Sequence, residues 1–363
     1  MTALIHDRNA QMRPVLVTGG CGFIGCNIAD ALAARGQTVL VLDSMARNGA
    51  QENAHWLKSR HGERIEIRTA DIRDGEAVKG AVSGAAAVIH LAAQVAVTTS
   101  LENPLEDFEI NARGTLNMLE AVRLANPGAP VLFASTNKVY GRLFDEREVV
   151  HRAQRYVPAK QGCEQGVDER APLDLYSPYG CSKGAAEQYV RDYSRVFGLR
   201  TTVLRMSCIY GPRQFGTEDQ GWIAHFILQA IRGSTITIYG DGLQVRDALH
   251  IDDAVAAWLS VLDNIETVSG RIFNLGGGPE NATSLLELLD SIGQLRGAPP
   301  QVSYQSWRPG DQPWYVSDVG ALAAATGWHP RIGLSQGLRT LVQWLESRFG
   351  TDALMPSVAG VRP

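Results

Sequence analysis

The sequence predicts an α/β chain: a doubly wound parallel sheet followed by a smaller α+β lobe. Three observations carry that expectation. Short apolar runs that read as buried strands recur through the first part of the chain. Segments with helical spacing fill the intervals, the alternation that builds a parallel sheet covered on both faces. After about Gly211 the rhythm weakens, and strand and helix candidates mix without regular alternation.

Pro14–Thr18 (PVLVT) is a short apolar run that ends in glycines and reads as the first buried strand. Phe23–Arg35 follows with helical spacing and stops at Gly36, the usual place for a glycine. Thr38–Leu42, Ile65–Arg68, Ala87–Leu91 and Val131–Ser135 read as further strands, and Val203–Arg205 belongs to a sixth. Asp107–Leu124 and Tyr179–Phe197 are the clearest helices between them. Arg142–Ala171 is polar and reads as a long loop. In the second lobe, Thr235–Tyr239 and Arg271–Asn274 are strand candidates. Gly221–Ile231, Asp252–Val261, Ser284–Gln294 and Leu334–Phe349 are helix candidates.

Composition excludes several classes of function. The 363 residues carry 34 basic and 38 acidic side chains, a net charge of −4, so no basic footprint for nucleic acid is present. No apolar stretch is long enough for a membrane span, and the first residues lack the apolar core of a secretory signal. The five cysteines are odd in number and form no CxxC pair, which argues against a metal site or a disulfide framework and fits a reducing cytoplasm.

The strand–turn–helix at Val15–Ala33 carries Gly19, Gly22 and Gly25 in the spacing GxxGxxG. Gly19 permits the tight turn, Gly22 lets the backbone approach a pyrophosphate at the helix N-terminus, and Gly25 lets helix and strand pack closely. Phe23 and Ile24 open that helix. This is a Rossmann-type dinucleotide signature. Asp43, at the end of the next strand, suits both ribose hydroxyls and favours NAD over NADP, while Arg47 nearby weighs toward a 2′-phosphate. Asp71 and Ile72 follow the third strand, where an Asp meets the adenine amino group or caps a helix. The small residues in Leu91, Ala92 and Ala93 leave room for ribose and pyrophosphate, and His90 reads as a packed or loop-bonding histidine. These positions place the NAD-binding domain at 14–211, with 247–268 returning to it. The second lobe covers 212–246 and 269–350, and 1–13 and 351–363 read as tails, the first of them mobile.

Tyr179 and Lys183 stand at i and i+4 and share one helical face. An adjacent ammonium and a positive nicotinamide ring would stabilise the phenolate, so Tyr179 could take a hydroxyl proton while a sugar carbon loses hydride. Lys183 would also hold the nicotinamide ribose. Thr136, just past a strand end, could hydrogen-bond the reacting oxygen; Ser135 is its alternative.

The blocks TGGCGFIG, HLAAQ, STNKVYG, SPYGCSK and RDALHIDD resemble those of the extended short-chain dehydrogenase/reductase superfamily, over nearly the whole chain from Pro14 to about Phe349. Within it, QVAVTTSLENPLEDFEINARGTLNMLEAVR, LYSPYGCSKGAAEQY and YGPRQFGTEDQGW are similar to the CDP-tyvelose (CDP-paratose) 2-epimerases. The resemblance implies NAD⁺-dependent oxidation of a sugar carbon to a ketone, most directly at C2, and hydride return to the opposite face. It places the catalytic trio at Thr136, Tyr179 and Lys183. It also implies a homodimer or homotetramer paired through the Asp107–Leu124 and Tyr179–Phe197 helices.

In the superfamily's 4,6-dehydratases an Asp-Glu pair follows the catalytic threonine. Asn137 and Lys138 stand there instead, so dehydration lacks its usual acid/base. Many members carry Asn at the position of Cys208, and this chain departs from that. The second lobe should bind a nucleotide-diphosphate-sugar. Arg213, Gln214, Arg246 and Arg308 are candidates because guanidinium forks suit phosphate oxygens. Asn137, Lys138, Gln220, Gly221 and Trp222 extend the pocket. Asp247, His250 and Asp253 read as fixing the lobes together. Residues Phe144–Glu169 and Thr283–Pro300 depart from the 2-epimerases. Inversion at C4, and 2-epimerisation of another nucleotide-sugar such as a heptose, therefore remain open readings. A non-catalytic NAD-binding protein is opposed by the retained trio.

Overall fold

The structure, a computed structural model, describes residues 13–349 apart from 145, 146, 161 and 309. The expected tails lie outside the described residues except for residue 13. Seven strands form the main sheet: β1 (Val15–Thr18), β2 (Val39–Asp43), β3 (Ile65–Thr69), β4 (Ala87–His90), β5 (Val131–Thr136), β6 (Thr201–Met206) and β7 (Ile272–Leu275). Their order is β7-β6-β5-β4-β1-β2-β3, and every pairing is parallel. The chain runs outward from β1 to β3, then returns across β1 to β4. That reversal opens a crevice at the carboxyl ends of β1 and β4, the place where open α/β sheets bind ligands.

The central strands are buried at every position because helices cover both faces, which is why they read as apolar runs rather than alternating ones. One face packs on Leu32, Leu57 and Trp258, the other on Val78, Met118, Leu119 and Val190. The helix Ile251–Asp263 lies against the glycine-motif helix Phe23–Ala34.

Three elements differ from the sequence expectation. The sequence places Arg271–Asn274 in the second lobe, yet Ile272–Leu275 pairs with β6 at the edge of the main sheet. A strand that returns after a long excursion carries no local sign of its partner. The polar segment 142–171 contains a hairpin, Val149–Arg152 against Arg155–Pro158. Only Val149 and Pro158 of its strand residues are buried, so no hydrophobic alternation marks it. Instead it is held from outside, by Tyr156 N donating to Leu243 O (2.9 Å) and by both Arg155 Nε and Nη2 on the Glu287 carboxylate. The expected Asp107–Leu124 helix is also interrupted by a π turn at Glu109–Arg113, between helices Pro104–Phe108 and Gly114–Ala125. Within that wide turn Asn111 Nδ2 donates to Gln94 O and Ser182 Oγ, linking helix to loop and helix.

In the second lobe the strand Val245–His250 pairs with Cys208–Tyr210, Ala282–Ser284 and Trp314–Tyr315. Ile236–Tyr239 pairs with Val302–Gln305. Helices Trp222–Arg232, Leu285–Arg296 and Leu334–Phe349 enclose a separate core around Ile227, Ile236, Leu288 and Leu341. Polar ties cross the seams. Asp247 accepts from Gly278 N and Ser207 Oγ, Asp253 accepts from Arg331 N and Ile332 N, and the His250 ring meets Thr340 Oγ1.

Candidate active site

The crevice is a cavity of about 870 Å³, and every residue singled out in the sequence as a cofactor, catalytic or substrate candidate lines it. At its floor β1 turns into the glycine-motif helix. Gly19 sits at φ +67, and a Cβ there would lie 2.8 Å from Ala92 N. A Cβ on Gly25 would lie 2.3 Å from Gly19 O, so any side chain would push helix off strand. Gly22 is the helix N-cap and supplies no side-chain cap. Amide N–H groups of the first turn are thus left for an anion, and the residues present fit a dinucleotide pyrophosphate.

Asp43 braces this turn. Its Oδ2 accepts from Cys21 N (2.9 Å) and its Oδ1 from Met45 N (2.8 Å), leaving one lone pair on each oxygen for ribose. Asp71 is held by Arg73, whose backbone N, Nε and Nη2 all reach its carboxylate. The cap of the following helix is Asp74, not Asp71. Ile72 packs against Gly114. Leu91 N and Ala92 N both donate to Thr18 Oγ1. His90 lies behind them, its Nδ1 2.7 Å from Thr18 Oγ1 and its Nε2 3.1 Å from Thr115 Oγ1. Burial, and then repulsion from Lys183, pushes the imidazole down to about 3, so it is a neutral structural bridge.

Thr136 ends β5 and caps the turn Asn137–Tyr140, accepting from Lys138 N at 3.2 Å. Its hydroxyl donates to Asn137 Oδ1 (3.3 Å) and lies near enough to the Tyr179 phenol to favour its ionised form. Tyr179 and Lys183 are both buried on the helix Ser177–Phe197. Burial pushes Tyr179 up to about 12. Asp107 adds to the rise, while Thr136 and Arg47 oppose it. Burial draws Lys183 down to about 7 against the pull of Asp107 and Glu187, and its Nζ lies 4.3 Å over the Phe133 ring. Spacing alone assigns Lys183 the task of lowering Tyr179. In the structure Arg47 is the cation whose charge favours the phenolate, and burial draws Lys183 down. The sequence reading weighs Arg47 only as a phosphate ligand, and the loop that brings it beside Tyr179 has no local sequence signal.

The second-lobe wall is cationic. Lys138 Nζ donates to Gly310 O (3.2 Å) and stands 3.8 Å from Asp311. Arg246 is 4.0 Å from the same carboxylate and donates to Val245 O. Sequence reasoning misses Asp311, although it lies three residues beyond Arg308 in the same RPGD stretch. Arg308 stacks on Tyr239 (3.7 Å) and pairs with Glu218 and Asp219. Arg213 stacks on Trp56 at 4.1 Å. Gln214 Nε2 donates to Ile209 O, and the side-chain oxygens of Gln214 and Gln220 are buried without a partner among the described residues.

A glycine turn at a strand crossover and a Tyr/Lys helix facing the same crevice define a dinucleotide-dependent enzyme of the short-chain dehydrogenase/reductase type. The chain belongs to the NAD dependent epimerase/dehydratase family, whose model matches residues 15–276, and NAD is its cofactor. It is 40% identical to CDP-paratose 2-epimerase of Salmonella typhi over 92% of this chain and 99% of that protein. The UDP-glucose 4-epimerase of Thermus thermophilus, solved in complex with NAD, superposes with a TM-score of 0.77 at 33% identity, covering 92% of this chain and 99% of that one. The dTDP-glucose 4,6-dehydratase DesIV of Streptomyces venezuelae, also solved with NAD, gives 0.79 at 28%, covering 93% and 98%. No helix among the described residues is long and apolar enough to cross a membrane.

His90 supplies a pH test of this packing. Its folded value lies below the unfolded one of about 6.5, so between about 3 and 6.5 the unfolded chain binds the extra proton. Its contribution is complete above that window and is lost as pH falls through it. In urea titrations of wild type and His90→Asn, the wild-type advantage should shrink from pH 7 to pH 4, with a slope of up to about 1.4 kcal/mol per pH unit. An advantage that stays constant would contradict a neutral buried His90.

Proposed function

We propose that the chain is a nucleotide-sugar epimerase that inverts one sugar carbon, C2 on the reading its 40%-identical relative favours, through a transient ketone. NAD⁺, which the Gly19–Gly25 turn, Asp43 and Lys183 would hold, would supply the hydride acceptor and donor and a positive charge beside the phenol. Tyr179 takes the hydroxyl proton as the ketone forms and gives it back as the carbonyl is reduced, so no net proton leaves the site. Thr136 holds the reacting oxygen against the phenol, and Arg47 and Lys183 offset the phenolate charge. Arg246, Lys138 and Arg308 receive the diphosphate side of the substrate.

The observation that carries this reading is the convergence of Thr136, Tyr179 and Lys183 on one crevice with a cationic second wall. The turn after Thr136 also bears on the reaction class. Asn137 and Lys138 offer an amide and an ammonium, and the neighbouring carboxylate, Asp311, is shared between Lys138 and Arg246. Elimination by a free carboxyl acid/base is disfavoured there. Inversion at C4 uses the same trio with another sugar pose, and the Thermus thermophilus relative supports keeping it as the second reading.

The enzyme should be incubated with CDP-, UDP-, GDP- and ADP-sugars and the products analysed by NMR, which identifies both the sugar and the inverted carbon. Tyr179→Phe should retain bound NAD and lose turnover by at least about 100-fold. Near wild-type turnover in that variant, or no inversion of any nucleotide-sugar by the wild type, would overturn the proposal.

We further propose that two chains pair through the helices Pro104–Phe108 and Ser177–Phe197. These helices leave Leu105 (78% exposed), Phe108, Tyr189, Val196 and Phe197 exposed, apolar side chains that pairing would cover. Sedimentation at micromolar concentration should give a dimer or a multiple of it, and Leu105→Glu with Val196→Glu should shift it toward monomer. A wild-type monomer would contradict the pairing.

A further inference from the structure

Beside the catalytic turn lies an aromatic wall that the mechanism above does not use. Trp222 is the first residue of the helix Trp222–Arg232 and lines the crevice, half-buried. Its inner side packs on the second-lobe core, with Phe226 edge-on at 5.7 Å. Its indole Nε1 donates to Cys208 Sγ at 3.4 Å. Cys208 also lines the crevice and stands two residues beyond Met206, the sheet partner of Thr136, which places the indole edge on the side of the Thr136–Lys138 turn.

The position of the ring is fixed by a closed circuit of short-range constraints. Gly221 caps the helix at φ +77, and a Cβ there would lie 2.9 Å from Gln214 Nε2. Gln214 Nε2 in turn holds Ile209 O, one residue beyond Cys208. Thr217 and Gln220 exchange backbone hydrogen bonds and close the loop between them. The strand carrying Cys208 and the helix carrying Trp222 are therefore locked together before any ligand arrives. With its one N–H donor turned to sulfur, the indole offers the crevice a π surface and no hydrogen bond.

We infer that Trp222 is a specificity-determining wall for the sugar ring, and that Cys208 is the positioning residue that sets the angle of the indole. This rests on the nucleotide-sugar reading. An aromatic surface packs against the C–H face of a pyranose without fixing any one hydroxyl. It therefore excludes water and holds a ring that must present either face to the cofactor in turn. Charged and hydrogen-bonding groups would instead pin one orientation. The wall favours a sugar with apolar carbons toward it over a fully hydroxylated one.

The test compares a ligand with a sugar to one without, on the NAD-loaded enzyme, by titration calorimetry with CDP-glucose and CDP. Trp222→Ala should weaken CDP-glucose by about tenfold while CDP changes less than about twofold, with bound NAD unchanged. Trp222→Phe should recover most of the loss. Cys208→Ser, which keeps an acceptor for the indole, should match wild type, and Cys208→Ala should fall between. Equal weakening of both ligands, no weakening of either, or a Cys208→Ser variant as impaired as Cys208→Ala would overturn the assignment. Failure of the wild-type enzyme to bind either ligand would instead count against the substrate reading on which the wall depends, and would take the wall with it.

Discussion

The catalytic helix is held to the sheet by one buried ion pair. Glu187, with no exposed surface, sits one turn beyond Lys183 and receives Arg205 Nε at 3.1 Å and Nη2 at 2.5 Å. Arg205 projects from β6, so the pair fixes the register of the Tyr/Lys helix against the strand beside β5. Ser135 Oγ donates to the same carboxylate at 2.7 Å, which ties in the strand that carries Thr136. The other side of Arg205 reaches Tyr140 OH (2.9 Å), which donates to Asn274 Oδ1 of β7. Removing one partner of such a pair leaves a buried charge and costs on the order of 3–5 kcal/mol, while the intact pair specifies one arrangement. Thr136, Tyr179 and Lys183 are thus positioned from behind, by Glu187, Arg205, Tyr140 and Asn274, none of which lines the crevice.

The remaining constraint is steric. The close approach of Gly25 to Gly19 O fixes how near the helix N-terminus comes to the end of β1, and so where a pyrophosphate can sit. Between these two anchors the crevice separates its chemistry. One wall is built from backbone N–H groups and small side chains. The other is built from cations that share Asp311 and from the aromatic side chain of Trp222.

Parts of this were legible in the sequence because they are local. A glycine triplet between a strand and a helix, and Tyr179 and Lys183 one turn apart, state their geometry by spacing alone. The seven-strand sheet was legible except for β7, whose partner β6 lies far back in the chain. The hairpin at 149–158 has no apolar alternation, because the second lobe rather than a buried face holds it. In the site, what escaped were contacts assembled from distant segments. Arg47 acts on Tyr179 from another loop, Asp311 joins Lys138 to Arg246 across the lobes, and Trp222 meets Cys208 only because Gly221 and Gln214 close their loop. Spacing also cannot reveal that Lys183 is desolvated.

The central claim is that the sugar carbon is oxidised and reduced without exchange of its hydrogen with solvent. It is tested most directly by running the reaction in D₂O and examining the product by NMR and mass spectrometry. Transient oxidation predicts an inverted carbon that retains its original hydrogen, with no deuterium on carbon. One deuterium per turnover at the inverted carbon or at C5 would contradict it, and would require a carbon acid/base in place of Tyr179 and the hydride acceptor.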